Sequence, residues 1–146
     1  MSNTAQAARA AQASPLAAVF ERYHVGWETR DPDLIASLHS EDTIFWLHDG
    51  SDPVKGRNAL RRSCAEMFAA FKFYPVTDRI LYGEDHWTLE WTMVVSLVEP
   101  DGTPFTAQVQ MLDVVTVNAR REVVRKDVYW NGQQAQAAFA RAGIKR

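Results

Sequence analysis

A chain of 146 residues that is 47% hydrophobic, with 16 Lys and Arg set against 18 Asp and Glu, has the length and apolar content of one compact domain around a single core. Its formal charge of −2 gives no basic footprint for nucleic acid or an anionic membrane, and no apolar run approaches the roughly 20 residues that a membrane span requires. Cys64, the one cysteine, has no partner for an internal disulfide, and the opening residues lack the charged, apolar and small-residue regions of a secretory leader, so a reducing cytoplasm is the expected compartment.

Residues 1–14 are rich in alanine and polar side chains without an apolar stripe, and are expected to form a tail ahead of a single domain over 15–146. Ser14 as cap and Pro15 at the first helical position open a first helix. In it Leu16, Val19, Phe20, Tyr23 and Trp27 recur at steps of three and four and share a face. "DPDLIASLH" repeats the start signal with Asp31 and Pro32 and predicts a short second helix. "TIFWLH" alternates and is rich in β-formers, which predicts the first strand. "GRNALRRSCAEMFAAF" predicts a third helix with Leu60, Cys64, Met67, Phe68 and Phe71 on one side, and Lys55, Arg57, Arg61 and Arg62 as a solvated cluster. From residue 73 the pattern changes: "KFYPVTDRILYG", "HWTLEWTMVVSLV", "PFTAQVQMLDVVTV" and "EVVRKDVYW" predict long strands, with "EPDGT" as a hairpin turn. "GQQAQAAFARAG" predicts a short terminal helix. Helices first and antiparallel strands afterwards make an α+β domain with helices on one face of a curved sheet, which can wrap into a cone with a pocket at its mouth.

Over about residues 15 to 131 this order resembles the nuclear transport factor 2-like (NTF2-like) superfamily, in its ketosteroid-isomerase-like and SnoaL-like branches. The resemblance implies a cystatin-like α+β barrel, a cone-shaped antiparallel sheet wrapped around N-terminal helices. "ERYHVGWETRDPDLIASLHSEDTIFW" is similar to the opening of a steroid isomerase, and Tyr23 falls on that family's oxyanion tyrosine. "MLDVVTVNARREVVRKDVYWN" is similar to its last hairpin, and Asp113 falls on the protonated aspartic acid that shares the oxyanion hole. An enolate oxygen in a dry pocket needs two donors, and a carboxylic acid can be one where its surroundings keep it neutral.

At the general base the sequence departs from that pattern. The isomerases carry an aspartate at the end of the first strand; without a gap its position falls on Leu47, and with a gap moved earlier it falls on His48. The gapped alignment also puts Trp46 and His48 on two residues that face the cavity in limonene epoxide hydrolases, and alternation turns 46 and 48 to the same side. Histidine can take up a proton near neutral pH, as a general base must. Asp49 is the fallback base if a bulge changes the alternation.

Asp127 lies in "KDVYWN", similar to an ending found in epoxide hydrolases and SnoaL-like proteins, yet the ungapped family aspartate falls on Val128. Alternation puts Lys126, Val128 and Trp130 on the cavity face and Arg125, Asp127 and Tyr129 on the other, so Asp127 is expected to be structural or at a subunit interface. The Arg-x-Asp of the epoxide hydrolases is missing from "LEWTM", where Glu90 is at best a partial substitute. Glu28, near an aspartate that scytalone dehydratase uses, sits about 100° round the helix from Trp27 and reads as solvent-exposed. His24, His39 and His86 have no partner at metal-ligand spacing, so no metal or cofactor is expected.

The resemblance implies a cofactor-independent acid–base enzyme of isomerase or lyase type, stabilising an enolate of a small hydrophobic, ring-containing or aromatic molecule. His48 would move the proton, Tyr23 and Asp113 would hold the oxyanion, and Trp27, Trp46, Met111, Val128 and Trp130 would line the pocket. A hydrolase, dehydratase or polyketide-cyclase-type enzyme, or a non-catalytic small-molecule-binding protein, is equally at home on this fold. Relatives imply a homodimer through the outer sheet face.

Overall fold

In the computed structural model, which describes residues 14–145, helix α1 (Leu16–Glu28) starts behind Pro15, which itself takes the N-cap position. Ser14 stands one residue further out, and its Oγ accepts from the Leu16 N–H at 3.3 Å. The rest of the expected tail lies outside the described residues. The stripe of Leu16, Val19, Phe20, Tyr23 and Trp27 is buried, as its spacing predicts.

Helix α1 ends in a pair of backbone bonds, Asp31 N–H to the Gly26 carbonyl at 2.9 Å and Arg30 N–H to the Trp27 carbonyl at 3.3 Å. This is a Schellman termination, with Arg30 at φ 55° where glycine is usual. Helix α2 (Pro32–Ser37) follows at once, capped by the Asp31 side chain, which accepts from the Leu34 N–H at 3.0 Å. The sharp turn brings α2 so close that a Cβ on Gly26 would lie 2.8 Å from Ile35 Cγ1.

Strands β1 (His39–Leu47), β2 (Val54–Lys55), β3 (Lys72–Tyr82), β4 (His86–Val98), β5 (Pro104–Val117) and β6 (Val123–Trp130) form a six-stranded sheet in the order β2-β1-β6-β5-β4-β3. Helix α3 (Arg57–Ala70) separates β2 from β3, and α4 (Gly132–Arg141) follows β6. All neighbours are antiparallel except β1 and β6, which run parallel. The first strand begins at His39, ahead of its alternating part, and β2 is too short to carry a period that a sequence pattern could announce.

The register breaks between His39 and Ile44, between Thr77 and Arg79, and between Thr116 and Val117. Such irregularities bend a strand and raise its twist, which curves the sheet. Trp87, Val95, Val109 and Val115 from the sheet join Leu16, Ile35 and Leu60 from the helices in one buried cluster. Among the described residues no helix is long and apolar enough to cross a membrane.

Candidate functional site

Between the curved sheet and helices α1, α3 and α4 lies a cavity of about 400 Å³, a volume that suits a small ligand. Its walls are apolar: Trp27 from α1, Phe45 and Leu47 from β1, Met111 from β5, and Val128 and Trp130 from β6. Phe139 of α4 covers one side, 6.0 Å from the Trp130 ring and 5.7 Å from Phe71. Asp49, Asp52 and Glu66 also line the cavity. The alternation expected of β6 holds, with Lys126, Val128 and Trp130 turned inward.

Lys126 is the basic group in this apolar surround. It is 4% exposed, and its Nζ lies 3.4 Å from Asp113 Oδ2, 3.8 Å from the centroid of the Trp27 ring and 5.2 Å from that of Tyr23. Burial pushes the Lys126 ammonium below its ordinary value, and the Asp113 carboxylate beside it opposes that shift. Asp113, itself 3% exposed, also accepts from Trp91 Nε1 at 2.9 Å. Behind the pair is a separate void of about 20 Å³, bounded by Tyr23, Trp27, Trp91, Asp113 and Lys126, about the space of one water molecule. Tyr23 and Asp113, far apart in sequence, both border this void, which shares Trp27, Trp91 and Lys126 with the main cavity.

The Tyr23 hydroxyl has another use. It lies 2.8 Å from His39 Nε2, while His39 Nδ1 lies 2.7 Å from Thr43 Oγ1. Thr43 spends its own proton on the Val123 carbonyl at 3.2 Å, so its oxygen accepts from His39 Nδ1–H, and His39 Nε2 in turn accepts from Tyr23. Tyr23 therefore has no second proton to offer a substrate oxygen. Burial pushes its phenol well up; the Trp27 indole N–H opposes the shift without reaching hydrogen-bond geometry, and Trp27 Nε1 is buried with no acceptor among the described residues.

His48 is set apart from the cavity, because the inward positions of β1 are Phe45 and Leu47. It does share a side with Trp46, as alternation requires, but that side is the outer face. There His48 stacks between Trp46 and Tyr129, with centroids at 4.4 and 4.2 Å, and its Nε2 lies 2.8 Å from Asp127 Oδ1. Trp46 donates to the Ser51 carbonyl at 3.0 Å and, like His48, does not reach the cavity. Burial alone would raise the Asp127 carboxyl, but hydrogen bonds from Arg125 and His48 outweigh it and hold the group below its ordinary value. On β1 it is Leu47, not His48, that lines the cavity.

Trp27, Met111, Val128 and Trp130 do line the cavity. Asp49 lines it too, its Oδ1 accepting from the Ser51 N–H at 3.0 Å and from the Ser51 hydroxyl. Glu28 is on the surface, with His24 Nε2 at 3.6 Å, and Glu90 pairs with Arg79 at 2.7 Å on the outer face. Among the described residues no group of three or more His, Cys, Asp or Glu is placed to hold a metal ion. Sequence reasoning placed Lys126 on the cavity face without assigning it a role. A lysine at an inward position of an otherwise apolar strand was the available signal.

A buried ammonium held between a carboxylate and an indole face can donate to a developing oxyanion, or, once deprotonated, act as base or nucleophile. Solved structures share this fold. A protein with a ketosteroid isomerase-like fold from Catenulispora acidiphila, in complex with trimethylamine, matches with a TM-score of 0.70 at 17% identity, over 87% of this chain and 93% of the other. A Mycobacterium tuberculosis protein in complex with estradiol-17beta-hemisuccinate gives 0.69 at 16% identity, over 83% and 97%. The epoxide hydrolase/cyclase-like enzyme SalBIII, which has a role in pyran ring formation in the polyether salinomycin, gives 0.66 at 17% identity, over 80% and 90%. A comparison with curated proteins returns no match. The model of the SnoaL-like domain matches residues 20–126, and the chain, an α+β cone of the NTF2-like superfamily, belongs to that family.

Proposed function

We propose that this protein is a cofactor-independent acid–base enzyme, of isomerase or lyase type, for a small hydrophobic ring-bearing carbonyl compound. Lys126 holds the substrate oxygen, Asp113 positions Lys126, and Asp49 takes the proton next to the carbonyl. The observation that carries this reading is the buried Lys126–Asp113 pair, whose lysine lines a largely apolar cavity. Such a pair is often no more stable than packed apolar side chains would be, so its presence beside a cavity is accounted for by a ligand. The ring would lie among Trp27, Met111 and Trp130. As the α C–H bond yields its proton, charge grows on the oxygen, and an ammonium in low dielectric stabilises that charge far more than water-exposed lysine could. The Ser51 bonds hold Asp49 in place for the proton.

Binding of a naphthol, a mimic of the enolate, and catalysed exchange of the α-protons of a tetralone test this reading. The naphthol should bind wild type and lose about tenfold or more in affinity in Lys126→Met, a change of about 1.4 kcal/mol. Asp49→Asn should bind it normally yet lose α-proton exchange, and His48→Ala should behave as wild type in both assays. Absence of naphthol binding, or exchange that survives both Lys126→Met and Asp49→Asn, sinks the proposal. The commitment of the Tyr23 hydroxyl to His39 favours a second reading, a pocket that binds without catalysis; naphthol binding with no exchange in wild type would select it.

The same proposal includes a homodimer through the outer sheet face. Supporting it are a groove of about 560 Å³ lined by Glu90, Thr92, Leu112 and Tyr129, and the exposed Tyr74, Val76 and Tyr129 on that surface. Light scattering should give the mass of two chains, and Tyr129→Glu should halve it; a monomeric wild type would remove the dimer.

A further inference from the structure

We infer that Lys126 forms a reversible imine with aldehydes and ketones that enter the cavity, an inference that rests on the reading of that cavity as a site for small carbonyl compounds. Of the chain's lysines, Lys55, Lys72 and Lys145 are exposed, whereas Lys126 is buried and lines the cavity. A strand, braced by neighbours on both sides, carries it, so its amine is held in place as covalent chemistry requires. Asp113 Oδ2, at 3.4 Å, is within reach of its protons. The adjoining void of about 20 Å³ has the size of the one small molecule the reaction must expel.

The step balances with these groups alone. Asp113 takes one proton from the ammonium, which leaves a neutral amine. The nitrogen lone pair forms the C–N bond while the carbonyl π electrons move to oxygen, and that oxygen gains the proton the nitrogen sheds, giving a carbinolamine. Asp113 returns its proton to the hydroxyl, the C–O bond breaks, water leaves, and the nitrogen lone pair closes the C=N bond. The product is a cationic imine beside a regenerated carboxylate, with no change of oxidation state. The cation then lies where the ammonium lay, against Asp113 and over the Trp27 face. It draws electrons from the adjacent carbon more strongly than a neutral carbonyl does, which makes the α-proton easier for Asp49 to remove. Desolvation, which disfavours the charged amine, helps only the first step, the release of a neutral nucleophile.

Benzaldehyde with cyanoborohydride tests this on the full chain. Reduction should fix an adduct on Lys126, located by peptide mapping apart from any on the exposed lysines, and a naphthol should suppress it alone. Lys126→Arg, which keeps a cation beside Asp113 but cannot form the imine, should lose the adduct while Lys55, Lys72 and Lys145 react as before. Adducts confined to those three, or an adduct indifferent to naphthol, overturn the inference. Should Lys126→Arg fail to fold, the wild-type peptide map decides alone. Naphthol binding with no Lys126 adduct removes the imine and leaves the acid–base reading standing; loss of both removes the two together.

Discussion

Lys126 and Asp113 sit on adjacent strands in a diagonal that the register of β5 and β6 creates, with Val115 opposite Lys126 and Asp113 opposite Val128. Removing the ammonium alone leaves a buried carboxylate whose one remaining hydrogen-bond donor among the described residues is the Trp91 N–H. Lys126→Met should therefore cost about 3 kcal/mol of stability in urea denaturation. The double variant Lys126→Met with Asp113→Asn should cost appreciably less, because an asparagine oxygen still accepts from Trp91 while the stranded charge is gone. Costs that simply add would mean the two side chains do not act as a pair. That Lys126 faces inward was readable from the alternation of β6. Its partner was not, since register across two strands is set by packing and not by either strand's own pattern.

At the level of elements, Arg30 ties three of them together. Its guanidinium donates to the Phe71 carbonyl at 2.9 Å, to the Phe73 carbonyl at 3.1 Å and to the Phe68 carbonyl. It also lies 5.1 Å from the Phe68 ring centroid. The turn after α1 is thereby fastened to the end of α3 and the start of β3, where carbonyls without helical partners favour a cation. Glycine at this position would relieve the positive φ, worth about 1–2 kcal/mol. It would also remove the charged donor, whose bonds are worth roughly 1.5–3 kcal/mol each. Arg30→Gly should thus lose at least about 2.5 kcal/mol in thermal unfolding, and Arg30→Ala more. A gain in stability for the glycine variant would show that backbone strain outweighs the bonds. The start signals of α1 and α2 were legible because caps and prolines are local chemistry. This staple was not, as it joins residues some forty positions apart.

For the whole molecule, the buried His39 network links fold stability to pH. Burial, and after it the charges of Lys126 and Arg57, push His39 down to about 3. The unfolded chain takes up the proton near the ordinary histidine value of about 6.5, while the folded state refuses it until much lower pH. The contribution to stability is accordingly complete above about pH 6.5 and lost as pH falls toward 3, at up to about 1.4 kcal/mol per pH unit. Denaturant midpoints measured from pH 7 down to 4.5 should fall steadily in wild type and more gently in His39→Gln. Equal slopes would exclude His39 as the source.

The α+β order, the long strands, the inward set of β6 and the outward place of Asp127 follow from the sequence by itself, because caps, turns and the two-residue period of a strand are local properties. Trp27, Met111, Val128 and Trp130 line the cavity, whereas His48 and Trp46 lie outside it. Tyr23 and Asp113 border the same small void, yet the tyrosine's proton is spent on His39, whose place at the start of β1 owes nothing to the alternating segment behind it. Only the tertiary structure decided which side of β1 faces the cavity. It turned Leu47 in and His48 out, because the parallel pairing of β1 with β6 sets Leu47 opposite the inward Val128 and Trp46 opposite the outward Asp127. A shift of one residue reverses every side chain of a strand, and no local pattern in "FWLHDG" could fix that choice.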